Sequence, residues 1–262
     1  MSNPAFNNSP VFTTKAVVNS TTVNGREMTP AQLDELYGRP SATPTDTDRM
    51  TYEDTIVKIV IAFAVLLVGA VVGWMIPALA IPGAIIGLVL ALVNIFKKKP
   101  SRGLVLAYAA FEGLFVGGIS AIFESQWGGI VPQAVFGTLG VVGVTLALFA
   151  TGKIRESKRA TQIFTVAIFG YMAFQLVNLV LVWTGVLPQF GLQGMNPLIN
   201  IAIGIFVVLL ASYSLVMDFT SIKRGVEQGA PRIYGWQAAF GIMVTVVWLY
   251  TEILRFLAIF RD

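Results

Sequence analysis

The chain has 262 residues, of which 55% are hydrophobic and only 12% are charged, and its mean hydropathy is +0.74. Soluble domains are about 25% charged, so this composition favours a membrane protein. The chain contains neither Cys nor His. Their absence excludes disulfide frameworks, Ser-His or Cys-His nucleophiles and HExxH metal sites, and it leaves proton sensing to carboxylates. The net charge of +4 comes from scattered basic loops, so nucleic-acid binding is not indicated.

Residues 1–50 differ from the rest of the chain, because they are rich in Asn, Ser, Thr and Pro and contain no long apolar run. We expect them to form a disordered cytoplasmic tail. Within the tail, Thr29 followed by Pro30 and Gln32 is typical of a helix start. We therefore predict a short amphipathic helix near residues 30–37, which either docks a partner or forms only transiently.

Seven long apolar runs follow, and each is close to the ~20 residues that cross a bilayer as a helix. They cover residues 56–76, 78–96, 103–123, 130–151, 161–184, 198–221 and 235–259. The sequence therefore predicts an all-α, polytopic membrane protein in which residues 51–262 form a bundle of seven transmembrane helices. Three pairs of glycines at a spacing of four predict close contact between helix backbones: Gly69/Gly73, Gly83/Gly87 and Gly113/Gly117.

Basic residues occur in alternate loops. Eleven Lys and Arg side chains lie between spans two and three, four and five, and six and seven: Lys97, Lys98, Lys99, Arg102, Lys153, Arg155, Lys158, Arg159, Lys223, Arg224 and Arg232. The other three loops contain none. Because basic loops stay on the cytoplasmic side of a membrane, we expect a cytoplasmic N-terminus and an external C-terminus. The expected location is a cell membrane, specifically the inner membrane of a bacterium.

Few charged residues lie inside the predicted spans. The third span contains Glu112, the sixth contains Asp218, and the seventh contains Glu252 and Arg255. A charge at the centre of a membrane helix costs at least ~2.5 kcal/mol, so it usually faces a cavity or a partner. Glu252 either pairs with Arg255 at the i,i+3 spacing or belongs to a polar pathway. Glu112 and Asp218 have no basic neighbour one turn away within their spans, which favours a functional role.

Three segments resemble the Bax inhibitor-1 family over about residues 50–262. Two of them are Met217-Asp218-Phe219-Thr220-Ser221-Ile222 and Leu249-Tyr250-Thr251-Glu252-Ile253-Leu254-Arg255-Phe256-Leu257. The third, Tyr108 to Gly117, is similar to a signature of the bacterial, YccA-like branch. The resemblance implies a seven-helix membrane bundle with a central last helix. It also implies a pH-sensitive calcium leak, and links to stress tolerance and to the regulation of membrane proteases.

The resemblance also implies roles for particular residues. Two acidic residues of the family, on spans six and seven, share a proton and control the pore, and they match Asp218 and Glu252. A basic residue at the inner end of span two latches one of them, and Lys97 holds that place. Two carboxylates close together in a poor solvent cannot both ionise, and their ionised oxygens suit Ca²⁺. Calcium is therefore the implied transported ion, bound transiently by Asp218 and Glu252, and no cofactor is implied.

This sequence departs from the family pattern in three ways. The second acid is Glu rather than Asp, the latch is Lys rather than Arg, and Asp218 and Glu252 are 34 residues apart. Equal depth requires a turn near Gly235, whereas the turn signal is Gly229-Ala230-Pro231. A turn there separates the two acids by about 15 Å in depth. With this difference in depth, Asp218 contacts Glu112 more readily than Glu252. Both pairings, Asp218 with Glu252 and Asp218 with Glu112, stay open.

The leading functional hypothesis is a proton-gated calcium leak channel. The alternative is a membrane protein without channel activity that binds and modulates another membrane protein, such as a membrane protease. An enzyme is not expected, because a rhomboid-type site needs His. An intramembrane aspartyl protease needs two Asp residues within spans, and only Asp218 lies there. The oligomeric state is left open.

Overall fold

The computed structural model describes residues 48–188 and 190–261, together with the backbone of residues 22–23 and 26–27. The chain divides into two compact units, Met1–Thr47 and Asp48–Asp262. In the first unit, strand β1 (Thr22–Val23) pairs with β2 (Arg26–Glu27) in antiparallel fashion. The amphipathic helix predicted near residues 30–37 lies outside the described residues.

The described part of the second unit contains seven helices that are long and apolar enough to cross a membrane. They are α1 (Tyr52–Met75), α2 (Ala80–Phe96), α3 (Arg102–Gln126), α4 (Ile130–Ala150), α5 (Lys158–Trp183), α6 (Pro197–Glu227) and α7 (Gly235–Ile259). Short 3₁₀ helices at Pro77–Leu79 and Arg232–Tyr234 precede α2 and α7, and a one-turn helix, Gly191–Gly194, lies between α5 and α6. The prediction of an all-α bundle of seven membrane helices is confirmed.

Two helix ends differ from the prediction by four residues or more. Helix α1 begins at Tyr52 rather than at residue 56, because the Thr51 hydroxyl accepts a hydrogen bond from the Asp54 N–H at 3.2 Å and caps the helix. Helix α6 continues to Glu227 rather than ending at residue 221. Its last turns carry Lys223 and Arg224, and cations are favourable at the C-terminal end of a helix.

Glycines bring α1, α2 and α3 into close backbone contact. A Cβ atom at Gly69 would collide with the Ala110 carbonyl oxygen, and one at Gly117 would collide with the Ala70 carbonyl. A Cβ atom at Gly83 would lie 2.9 Å from the Phe111 carbonyl oxygen. The glycine pairs therefore serve helix packing, as their spacing predicts.

Helix α7 is the central helix of the bundle. Half of the residues in its most apolar stretch are buried, against 11% for the corresponding stretch of α5. Helix α7 packs against α1, α3, α4 and α6. Its residues Ala239, Met243 and Leu249 are completely buried. The expectation of a central last helix is therefore confirmed, and the polar residue Thr245 of α7 lies in the interior of the bundle.

The two ends of the bundle differ in charge. The loops formed by residues 97–101, 151–157 and 228–231 lie at one end, which we call the basic end. At the opposite end, Arg261 follows α7 and donates hydrogen bonds to the carbonyl oxygens of Trp127 and Gly128, at 3.3 and 2.9 Å. The C-terminal end of α7 is thereby fixed to the loop between α3 and α4.

Candidate functional site

Asp218 lies on α6 and faces the half of α7 nearer the basic end. Its Oδ2 accepts a hydrogen bond from Thr245 Oγ1 at 2.8 Å, and Thr245 Oγ1 lies 3.2 Å from Ser214 Oγ. Its Oδ1 would lie 3.2 Å from a Cβ atom at Gly241. Within residues 48–188 and 190–261, no Lys or Arg forms an ion pair with it. Asp218 is thus a half-buried carboxylate that is held by a hydroxyl rather than by a cation.

Asp218 lines a cavity of about 450 Å³ near the basic end, which we call the Asp218 cavity. The wall also contains polar side chains from α2, α6, α7 and the turn before α7: Asn94, Ser221, Tyr234 and Gln237. Hydroxyl, amide and carboxylate oxygens are the ligands that Ca²⁺ prefers. The described residues contain no group of three or more acidic side chains that would hold a metal ion tightly. A cation in this cavity would therefore meet one carboxylate and several uncharged oxygens.

Glu252 belongs to a separate polar cluster between α7 and α5. Its Oε2 forms a salt bridge with Arg255, one turn further along α7. Its Oε1 accepts hydrogen bonds from the Tyr171 hydroxyl at 2.6 Å and from Trp248 Nε1 at 3.3 Å. The amide oxygen of Gln175, oriented by its hydrogen-bonding neighbours, faces the Arg255 guanidinium. The charge of Glu252 is therefore compensated within the protein.

Two further cavities adjoin the Glu252 cluster. One, of about 660 Å³, is bordered by Glu252, Trp248 and Thr245 of α7 and by residues of α5 and α6. The other, of about 220 Å³, is lined by Glu252, Arg255, Asn200 and Gln193. Gln193 is 2% exposed, and its Oε1 has no hydrogen-bond partner in the described part of the chain. Buried amide oxygens of this kind are usually hydrated.

The structure does not bring Asp218 and Glu252 together. Asp218 is level with Gly241 and Thr245, and Glu252 lies seven residues beyond Thr245, which is about 10 Å along the axis of α7. The physical reason is the position of the turn. The chain reverses between Glu227 and Arg232, and Gly229 adopts the left-handed φ of 63° there. A turn near Gly235, which a level pair would need, is not formed.

Neither Glu112 nor Lys97 forms a hydrogen bond or a salt bridge with Asp218 within the described residues. Glu112 lies on α3, where its Oε2 would be 2.9 Å from a Cβ atom at Gly87 of α2. No hydrogen bond between Glu112 and Asp218 occurs among the described residues. Lys97 follows the last residue of α2, its side chain is exposed, and it forms no salt bridge with a described residue. It is two residues beyond Ile95, which lines the Asp218 cavity.

A charged cluster at the basic end was not predicted from the sequence. Asp54 and Lys58 of α1 form a salt bridge, and Lys58 Nζ donates to the Arg232 carbonyl oxygen at 2.6 Å. The Arg232 guanidinium reaches Asp54 Oδ1 at 2.6 Å, and Lys58 lies 6.0 Å from the ring centroid of Trp236. The i,i+4 spacing of Asp54 and Lys58 was visible in the sequence. Arg232 was not an evident partner, because it is 178 residues from Asp54.

Comparison with known protein families gives one result. The family model described as Bax inhibitor 1 like matches residues 3–262. The match includes residues 3–50, which the sequence motifs left outside the similarity. No curated protein matches the chain significantly. Because the family model covers almost the whole chain, and the fold is a bundle of seven membrane helices, this integral membrane protein belongs to the Bax inhibitor 1 like family.

Proposed function

We propose that the protein is a calcium leak channel whose conduction depends on the protonation of Asp218. The observation that carries this proposal is the setting of Asp218: a half-buried carboxylate with one hydroxyl donor, on the wall of a cavity of about 450 Å³. An ionised carboxylate inside a membrane is costly unless a cation or water compensates it. A hydrated Ca²⁺ ion in the cavity supplies that compensation.

The sign of the pH dependence follows from the charge. Protonated Asp218 is neutral and attracts no cation, whereas ionised Asp218 creates a negative centre with oxygen neighbours that suit Ca²⁺. Calcium flux therefore increases as the pH rises and Asp218 loses its proton. No basic side chain among the described residues neutralises Asp218, so this charge change is not offset locally.

The route continues along α7 toward Glu252. Ser214 and Thr245 provide hydroxyls next to Asp218, and Thr245 also borders the cavity that reaches Glu252. In the described conformation the Arg255 guanidinium forms a salt bridge with the Glu252 carboxylate. This conformation therefore corresponds to a closed state. Transient Ca²⁺ binding at Glu252 then requires Arg255 to move away. In another conformation, we propose that Lys97 pairs with Asp218 and acts as the latch.

The orientation is part of the proposal. The basic end faces the cytoplasm, since basic loops are retained there, and the membrane is a bacterial inner membrane. The N-terminal tail is then cytoplasmic and the end of α7 is external. A reporter tag placed after Arg102 is expected to be cytoplasmic, and one near Gln189 external. A cytoplasmic tag near Gln189 would contradict this topology. Membership of the bacterial, YccA-like branch and the absence of enzymatic activity stay predictions.

The proposal is tested by calcium flux from purified protein in liposomes across a pH series. We expect flux to rise with pH for the natural sequence, and Asp218→Asn to lose most of this pH response because its side chain stays neutral. Glu112→Gln is the matched control, since Glu112 also lies inside a span but does not line the Asp218 cavity. Its pH response should be unchanged.

Two results would overturn the channel proposal. One is the absence of calcium flux from protein shown to be folded, and the other is an unchanged pH response in Asp218→Asn. The alternative function, binding and modulation of another membrane protein, would then lead. It predicts that a membrane protein partner is recovered in stoichiometric amounts after extraction in mild detergent.

A further inference from the structure

The segment before α1 contributes Met50 to the wall of the Asp218 cavity at the basic end. Arg49 and Pro231 form an antiparallel bridge, in which the Met50 N–H donates to the Ala230 carbonyl oxygen at 2.7 Å. The Arg232 N–H donates to the Asp48 carbonyl oxygen at 2.8 Å. Residues 48–50 are therefore joined by their backbone to the turn that precedes α7.

Met50 occupies the space between this segment and α6. Its side chain is 4% exposed, and its sulfur would lie 3.0 Å from a Cβ atom at Gly225. Met50 is also part of the wall of the Asp218 cavity, together with Gly225 and Ala230. These neighbours place Met50 at the side of the cavity that is nearer to the solvent at the basic end.

An ion cluster, which we call the Asp54 cluster, joins the start of α1 to the turn that carries the segment. It consists of Asp54, Lys58 and Arg232. Asp54 lies in the first turn of α1, directly after the segment, and Arg232 also forms one of the two backbone hydrogen bonds to the segment. Lys58 is 6% exposed, so its charge depends on Asp54 for compensation. Loss of the Asp54 charge therefore weakens the attachment of α1 to the turn.

Within the described part of the chain, a small set of contacts holds residues 48–50. It consists of two backbone hydrogen bonds, the Met50 side chain against Gly225, the Arg49 side chain 3.2 Å from a Cβ atom at Gly229, and the attraction between Asp48 and Arg232. Asp48 has a left-handed φ of 50°, which is uncommon for residues other than Gly. Segments with few buried contacts open locally at a lower free energy than global unfolding requires. The bridge can thus open while the seven-helix bundle stays intact.

We propose that residues 48–50 form a lid over the Asp218 cavity and that the Asp54 cluster locks this lid. Release of the lock opens the cavity to solvent at the basic end. The proposal concerns access to the cavity, so it holds whether or not the protein conducts calcium.

The test uses a chain that has no natural Cys. Ala238→Cys introduces a single thiol on the wall of the Asp218 cavity, and the rate of its modification by a charged, water-soluble thiol reagent is measured in nanodiscs. We expect the thiol to be modified slowly in the otherwise natural sequence. Addition of Asp54→Asn should make modification about tenfold faster. A tenfold change corresponds to ~1.4 kcal/mol in the opening equilibrium. Glu53→Gln is the matched control, because Glu53 is the adjacent, exposed carboxylate. It should not change the rate.

A second variant tests the lid without disturbing the Asp54 cluster. Met50→Ala shortens the covering side chain, and it should also accelerate modification of Ala238→Cys. Lys153→Cys, on an exposed loop, is the reference thiol and should react at one rate in every background. Equal rates with and without Asp54→Asn and Met50→Ala, in protein with unchanged elution and helix content, would overturn the proposal. If Asp54→Asn does not fold, the result for Met50→Ala decides whether the lid exists. If both variants fold and only Met50→Ala accelerates modification, the proposed lock by the Asp54 cluster is overturned.

Discussion

Asp218 and Glu252 are both carboxylates that face the interior of one bundle, but their surroundings differ. Glu252 has a cation, a phenol and an indole as partners. Asp218 has one threonine hydroxyl as its partner and lines a cavity of about 450 Å³. The charge of Glu252 is thus compensated by the fold, whereas compensation of Asp218 is left to a proton, to water or to a cation.

This difference shows that an acidic residue in a span is not by itself evidence of an ion pathway. An ion pair one turn apart on a helix satisfies a carboxylate locally and favours a fixed conformation. A carboxylate without such a partner changes its charge at the smallest structural cost. We therefore assign the proton dependence of the proposed channel to Asp218. Glu252 has a structural role in the closed conformation.

The largest effect on stability is expected from Arg255→Gln. Removal of the guanidinium leaves Glu252 charged and largely enclosed, and an uncompensated buried charge costs about 3 kcal/mol. Chemical denaturation in mixed micelles measures the free energy of unfolding. The double variant Arg255→Gln/Glu252→Gln should recover much of the loss, because it removes the orphaned charge as well. A double variant no more stable than Arg255→Gln would show that Glu252 is not compensated by Arg255.

A smaller effect is expected from Thr245→Val, which removes the hydroxyl that donates to Asp218 without changing the size of the side chain. A hydrogen bond to a charged group contributes about 1.5 kcal/mol, so the free energy of unfolding should fall by about that amount at high pH. Thr138→Val is the matched control, because the buried Thr138 hydroxyl bonds only to the Ala134 carbonyl oxygen of its own helix. Equal losses for the two variants would contradict a special role for Thr245.

Asp218→Asn is expected to change stability by less than about 1 kcal/mol, since no ion pair is lost and the amide oxygen still accepts from Thr245. The same variant should lose most of the pH dependence of calcium flux. This separation of stability from flux distinguishes Asp218 from Glu252. A loss of stability as large as that of Arg255→Gln would instead indicate that Asp218 is a compensated, structural group.

The smallest effect on stability is expected from Lys97→Gln. An exposed lysine without an ion pair contributes less than about 0.5 kcal/mol, so denaturation should be almost unchanged. If Lys97 latches Asp218 in another conformation, Lys97→Gln should increase calcium flux, while Lys98→Gln, its exposed neighbour, should not. Equal flux from both variants would contradict the latch.

The sequence alone determined the number of spans and the class of fold. A bilayer acts on each segment separately, because every apolar run of about 20 residues satisfies its own backbone as a helix. The Glu252–Arg255 ion pair was also accessible in this way, since both residues lie on one helix at a spacing of three. Glycine spacing likewise indicated where α1, α2 and α3 approach each other.

Only the tertiary structure decided which groups meet between helices. The partner of Asp218 is Thr245 rather than Glu252 or Glu112, and the partner of Asp54 is Arg232, 178 residues away. These contacts depend on the relative height and rotation of α6, α7 and α1, which the turn at Gly229 and the packing of all seven helices set together. Local hydrophobicity carries no information about that register, because a lipid-facing surface and a buried helix contact are equally apolar.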